Sequence, residues 1–333
     1  MALLLAASAV SAAVPRRAAA QETRVLIVVG LGGTEQYRER FGGWARELYA
    51  GLTGRDGIPA DHVTLLTERP ESLPGITAER STRENVLGAI AAMAGEAAPD
   101  DQILVVLVGH GTARGEEGRF NLPGPDLSPE ELAGALASFA TQTVAVAHTG
   151  SASGGFIAPL SGPRRVVLSA TRTVRERNAT QFPAYFVEAV TGDGADLDKD
   201  GQVSLLEAFV FARAEVARHY DEENEILTEH AVLDDNGDGE GSQDPSATGD
   251  DGKVAAAFRL GRPTGVAAST DTDDPELARM YRERQAILAR VDALRAGRDT
   301  IPPEQYDDAL EALLVELALK TREIRAREGG GGS

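Results

Sequence analysis

From residue 23 to about residue 220, short apolar runs alternate with stretches of helical spacing, and no other feature constrains the fold as tightly. Arg24-Val-Leu-Ile-Val-Val29, His62-Val-Thr-Leu-Leu66, Gln102-Ile-Leu-Val-Val-Leu-Val108, Thr143-Val-Ala-Val-Ala147 and Arg165-Val-Val-Leu-Ser169 are too short for buried helices. They also lack the polar alternate positions of a half-exposed strand. Strands of this kind are covered on both faces, which parallel sheets achieve with crossover helices. Between them, Tyr37, Phe41, Trp44 and Leu48 share one helical face. Ser81-Thr-Arg-Glu84 reads as a capping box opening a helix to about Ala97. Ser128-Pro129-Glu130 starts another, with proline at its first position. The expectation is one doubly wound α/β domain over residues 21–220, a mostly parallel sheet with helices on both faces.

The ends read differently. Residues 1–20 are a short apolar run followed by Ala18-Ala19-Ala20, the form of an export signal, so a periplasmic or extracellular protein is expected. No later segment is apolar enough to span a membrane. After a Gly/Thr/Asp-rich linker at 261–273, residues 274–327 carry two apolar stripes. Leu277, Tyr281, Leu288, Val291 and Leu294 form the first, and Tyr306, Leu310, Leu313, Leu317 and Ile324 the second. They predict a helical hairpin that packs on the body or associates with itself. Residues 328–333 have linker composition and are read as a disordered tail.

The formal charge is −19, which repels phosphate backbones and argues against nucleic acid as a partner. Gly30-Leu-Gly-Gly33 has Glu35 where a dinucleotide fingerprint needs its last glycine, so nucleotide binding is unsupported. Most of the negative charge sits in residues 188–252, where nineteen acidic residues face only Lys199, Arg213 and Arg218. Within this stretch Asp196-Leu-Asp198-Lys-Asp200-Gly201-Gln202-Val203-Ser204-Leu-Leu-Glu207 matches a twelve-residue calcium loop position by position. Asp196, Asp198, Asp200, the Gln202 carbonyl, Ser204 and a bidentate Glu207 would supply the oxygens, and Gly201 the sharp turn. A structural Ca²⁺ held at ~10⁻⁴–10⁻³ M is expected. Asp234, Asn236 and Asp238 begin a second such loop inside an acidic extension (221–260), but its twelfth position is Pro245, which has no coordinating side chain.

Two consecutive apolar runs end in residues suited to catalysis at the carboxyl edge of a sheet. One ends Gly109-His110-Gly111, the next His148-Thr149-Gly150-Ser151-Ala152-Ser153-Gly154-Gly155. Strand-His-Gly followed by strand-Cys-x-Ser-Gly is the arrangement of the caspase–legumain superfamily. Over roughly residues 23–220 the chain resembles its legumain-type cysteine peptidases, in strand order and in Arg165-Val-Val-Leu-Ser-Ala-Thr171. The resemblance implies that His110 matches the family's catalytic histidine and Ser151 falls where its cysteine belongs. It further implies backbone N–H groups at Gly111 and Gly150 as oxyanion donors. The departure is chemical: a thiol ionises beside an imidazole far more readily than a hydroxyl does. A serine needs a general base oriented by a carboxylate, and no such carboxylate is identifiable.

The chain has no cysteine at all. Three readings follow from that: a pseudopeptidase that binds peptide segments, an active Ser151/His110 endopeptidase, or an engineered Cys-to-Ser variant. A non-catalytic calcium-dependent scaffold assembled through the hairpin is a fourth, from a different class. The pseudopeptidase is the reading carried forward. His148 is expected to face away from Ser151 and to bond backbone, while His62, His219 and His230 show no ligand spacing.

Overall fold

The computed structural model describes residues 21–192, 194–198, 201–260, 274–296 and 302–330. Residues 1–20, which carry the expected export signal, residues 261–273 and 297–301 and the last three residues lie outside the described residues, as do Asp193, Lys199 and Asp200. The five expected apolar runs form the middle of a seven-stranded sheet, with Glu79–Arg80 and Val232–Asp234 added at its edges. Its strands are β1 (Thr23–Val29), β2 (Val63–Thr67), β3 (Glu79–Arg80), β4 (Gln102–Val108), β7 (Thr143–His148), β8 (Arg165–Ser169) and β10 (Val232–Asp234). Two small ribbons accompany it, β5 (Gly111–Arg114) with β6 (Glu117–Phe120), and β9 (Val203–Ser204) with β11 (Arg259–Leu260). In space the large sheet runs β10-β8-β7-β4-β1-β2-β3. All of its pairings are parallel except β10 against β8.

Helices cover both faces, as the continuous apolar runs require. Period-two geometry divides β1 between them: Val25, Ile27 and Val29 join one core and Leu26 and Val28 the other. The first core packs against α1 (Glu35–Ala50), α5 (Phe182–Thr191) and α6 (Leu205–Glu222). The second packs against α2 (Arg83–Glu96), α3 (Pro129–Leu136) and the single turn α4 (Ile157–Leu160). The capping box at Ser128 forms with both reciprocal bonds in place. At α2 the reading shifts by one residue: Thr82, not Ser81, is the cap, accepting the Asn85 N–H at 3.2 Å.

The acidic extension is not an appendage. Its Val232–Asp234 is the antiparallel edge strand β10, and Glu229 accepts the Gln181 and Phe182 N–H groups at 2.7 and 3.1 Å. A carboxylate at that place meets the positive end of α5. The short helix α7 (Lys253–Ala257) and β11 then return the chain to β9. The C-terminal hairpin consists of α8 (Pro275–Ala296) and α9 (Pro303–Gly330), and α9 continues through Gly330 into the stretch read as tail. Tyr281, Ile287 and Val291 of α8 and Tyr306, Leu313, Leu317 and Ile324 of α9 are buried. Arg327 to Asp274 and Arg290 to Glu316 tie the two helices together. Among the described residues, no helix is long and apolar enough to cross a membrane.

Candidate functional site

β4 and β7 are adjacent and parallel, so the turns after them leave the same sheet edge together. That places the His110-Gly111 turn directly against the Gly150-Ser151 loop. The contact is backbone on backbone: a Cβ on Gly111 would lie 2.1 Å from the Ser151 carbonyl oxygen, and one on Gly150 2.0 Å from the Gly109 carbonyl oxygen. Neither clash can be relieved by rotating a side chain. Gly111→Ala is therefore expected to destabilise the protein by about 3 kcal/mol or more in urea unfolding. An unchanged midpoint would mean that the two loops do not meet in solution.

Ser151 is 3% exposed. Its hydroxyl donates to the Gly111 carbonyl at 3.1 Å and accepts the Gly111 N–H at 3.2 Å. The His110 ring turns the other way, toward α1, making edge-to-face contacts with Tyr37 and Phe41 at centroid distances of 4.4 and 5.0 Å. Burial against those rings lowers its pKa below the ordinary imidazole value. Histidine and serine thus share one rim, but the hydroxyl proton is bonded to backbone and not to the imidazole. The Gly150 N–H, the second expected oxyanion donor, is also engaged, on His148 Nδ1 at 3.3 Å. His148 itself is fully buried between Phe120 and Phe156. It bonds backbone as expected, and desolvation holds its imidazole down at about 3.

Ala152 sits in the left-handed region at φ 54°, its N–H held by the Glu176 carbonyl at 2.8 Å. This bend divides the loop's hydroxyls into two networks. Ser151 goes to Gly111, while Ser153 joins Ser169 and Thr171 in a fully buried hydroxyl cluster at 2.8 and 3.1 Å. Sequence reading missed that cluster because its members come from two different strand ends. It also missed a cleft of about 290 Å³ at the end of β1, lined among others by Gly30, Arg38, Glu39, Glu68 and Arg69. There Glu68 binds the Arg38 guanidinium at 3.1 Å and the Gly32 N–H at 2.9 Å.

The second site lies between α5 and α6. Asp196, Asp198 and Glu207 bring carboxylate oxygens within 4.8 Å of one another, a cluster that could hold a metal ion. Burial, followed by the Asp198 charge, raises the Glu207 pKa, so the clustered charges are costly without a counter-ion. Glu207 Oε1 accepts the N–H groups of Leu197 and Asp198 at 2.9 and 3.2 Å. Its Oε2 closes a capping box with Ser204 at the start of α6. Gly201, at φ 90°, gives its N–H to Asp196 at 3.1 Å. Of the expected ligands only Asp200 lies outside the described residues.

The extension repeats this pattern. Asp234 accepts the Gly239 N–H at 3.1 Å, with Gly239 at φ 79°. Asn236 accepts the Asp238 N–H at 2.8 Å. In place of the absent twelfth-position acid, Asp251 accepts the N–H groups of Asp235 and Asn236 at 3.0 and 3.3 Å. Those are the second and third loop positions, the ones Glu207 serves in the first loop.

No protein-family model matches this chain, and no curated protein does. Among solved structures it is similar to the crystal structure of protein GSU0716 from Geobacter sulfurreducens, at 14% identity and a TM-score of 0.41. That likeness covers 64% of this chain and 92% of the other.

Proposed function

We propose that this is an exported protein with a legumain/caspase-like body that binds peptide segments at the β4/β7 rim without cleaving them, and that carries a structural Ca²⁺ at Asp196, Asp198, Asp200, Gln202, Ser204 and Glu207. Three features support the body's kinship. The first is the strand order, with its antiparallel last strand. The second is the ribbon after the His110-Gly111 turn. The third is the meeting of that turn with the Ser151 loop. The observation that carries the loss of catalysis is the buried Ser151 hydroxyl, which exchanges both hydrogen bonds with the Gly111 backbone. Attack requires a general base to take that proton, and the imidazole is packed instead against Tyr37 and Phe41. An active Ser151/His110 endopeptidase would have to break both bonds and turn the histidine from α1. Calcium is the ion favoured by an all-oxygen donor set built of carboxylates, a carbonyl and a hydroxyl. The cleft beside Gly30 and Arg38 supports recognition of a polar segment.

Restoring sulfur tests the kinship. The wild-type chain is expected to leave a mixed peptide library intact and to resist serine-directed phosphonates. Ser151→Cys, whose weakly hydrogen-bonding thiol is released from the Gly111 backbone and ionises more readily, is expected to gain hydrolysis that disappears again in the Ser151→Cys/His110→Ala double variant. Phosphonate labelling of the wild type, lost on Ser151→Ala, would replace the pseudopeptidase with a serine enzyme. A folded Ser151→Cys protein with no His110-dependent activity would remove the peptidase kinship and leave the cation loop standing.

A further inference from the structure

We infer that the outer face of α9 is the interface between two copies of this chain, which pair antiparallel about Val315. One seam of α9, through Tyr306, Leu313, Leu317 and Ile324, is spent on α8. A second seam runs along the opposite side. Asp308, Ala312, Val315, Leu319, Arg322 and Ala326 follow one another at alternating steps of four and three, the spacing of a coiled-coil stripe. Each of these six residues is exposed, and Val315 and Leu319 remain 54% and 47% accessible. The stripe is apolar at its centre, from Ala312 to Leu319, and charged on either side of it. A two-helix hairpin with one buried seam is a marginal structure, and a second helical layer is the usual way of completing it.

Charge selects the occupant. The seam is acidic at its start, with Asp308 and flanking Glu311, and basic toward its end at Arg322. A two-fold axis at Val315 sets Asp308 of one copy opposite Arg322 of the other, seven residues from the axis on either side. The same axis brings Ala312 to within one residue of the facing Leu319. A small side chain then meets a large one, which lets the two helices interdigitate. Asp308, Glu311 and Arg322 have no ion-pair partner among the described residues. Neighbouring charges do: Lys320 binds Glu283 and Glu323, and Arg290 binds Glu316. A parallel pairing would set like charges together, so the stripe is complementary to itself in the antiparallel sense only. The product is a four-helix bundle tethering two α/β bodies.

Sedimentation equilibrium of the full chain reads this directly. The wild type is expected at twice its 35.0 kDa mass at micromolar concentration. Val315→Glu and Leu319→Glu are each expected to give monomers of unchanged helicity. Arg322→Asp is expected to weaken dimerisation about tenfold, and Asp308→Arg/Arg322→Asp to restore it, because the swap rebuilds both pairs across the axis. A monomeric wild type, or a dimer indifferent to both glutamate variants, overturns the interface. A dimer broken by those variants but not rescued by the charge swap overturns the antiparallel register.

Discussion

Moving the protein from a chelator into ten millimolar calcium should raise its melting temperature by about 5–10 °C. For the exported protein proposed above, a loop of this kind binds at ~10⁻⁴ M at its tighter end, so that concentration is about a hundredfold excess and contributes about 2.7 kcal/mol. For a body of this size each kcal/mol is worth about 2–4 °C. The location of the loop makes the effect global. Its carboxylates join the segment after α5 to the first turn of α6, and both helices pack into the same core. Glu207→Gln is the informative variant. Glutamine still suits the third helical position of a capping box but brings no charge to the cluster. It should abolish the calcium shift while leaving the chelator-treated protein folded at close to its original temperature. Magnesium, which gives up its water reluctantly and demands a smaller octahedral site, should produce a much smaller shift. Superimposable melts with and without calcium would refute a structural cation.

The second large effect is acid lability centred on His148. In the folded chain this imidazole stays neutral down to a pKa of about 3, because a charge would be stranded between Phe120 and Phe156. The unfolded chain takes up the proton near pH ~6.5. Stability from this residue is therefore complete above about pH 6.5 and drains as pH falls toward 3, with about 2.5 kcal/mol lost by about pH 4.5. Asp56 works in the opposite direction. Burial pushes its carboxyl up to about 6 against the pull of Arg55, so acid relieves its buried charge and returns about 2 kcal/mol over the same interval. The two nearly offset, and the wild-type curve alone would hide both. Comparing the wild type with His148→Asn isolates the histidine. The variant should be less stable at about pH 7, for want of a ring, and should recover about 2.5 kcal/mol relative to wild type by about pH 4.5. A stability difference that does not change between those two pH values would mean that His148 is not buried neutral.

The parts of this fold written in the sequence are those that depend on composition over a whole element. Continuous apolar runs became strands buried on both faces, and the order of two such runs put His110 and Ser151 on one rim. What was not legible depends on single contacts between distant segments. Val232–Asp234 offers only two apolar residues before a run of acids, too little to read as a strand, yet it completes the sheet because the β8 edge supplies the partner. Asp251 closes its loop from seventeen positions beyond Asp234, a distance no fixed-spacing motif includes. The Ser151 hydroxyl could be placed near Gly111 by topology. Which group would take its proton was decided by the left-handed turn at Ala152, and nothing about alanine announces that conformation. Glu207 shows the reverse case, one side chain with two legible meanings. It is the twelfth residue of the loop motif and the third helical residue after a serine cap. Its two oxygens divide the work, Oε1 facing the loop amides and Oε2 the cap.

The edge strand donated by the acidic extension has a consequence for the chain's behaviour as a polymer. Without Val232–Asp234, the backbone amides and carbonyls of β8 would stand open along one side of an apolar strand, the template on which strands from other molecules add. With it, the outermost strand is three residues long, runs counter to its neighbour and ends in a carboxylate. The charged segment is thus a guard as well as a cover, leaving other molecules no open β8 edge to join.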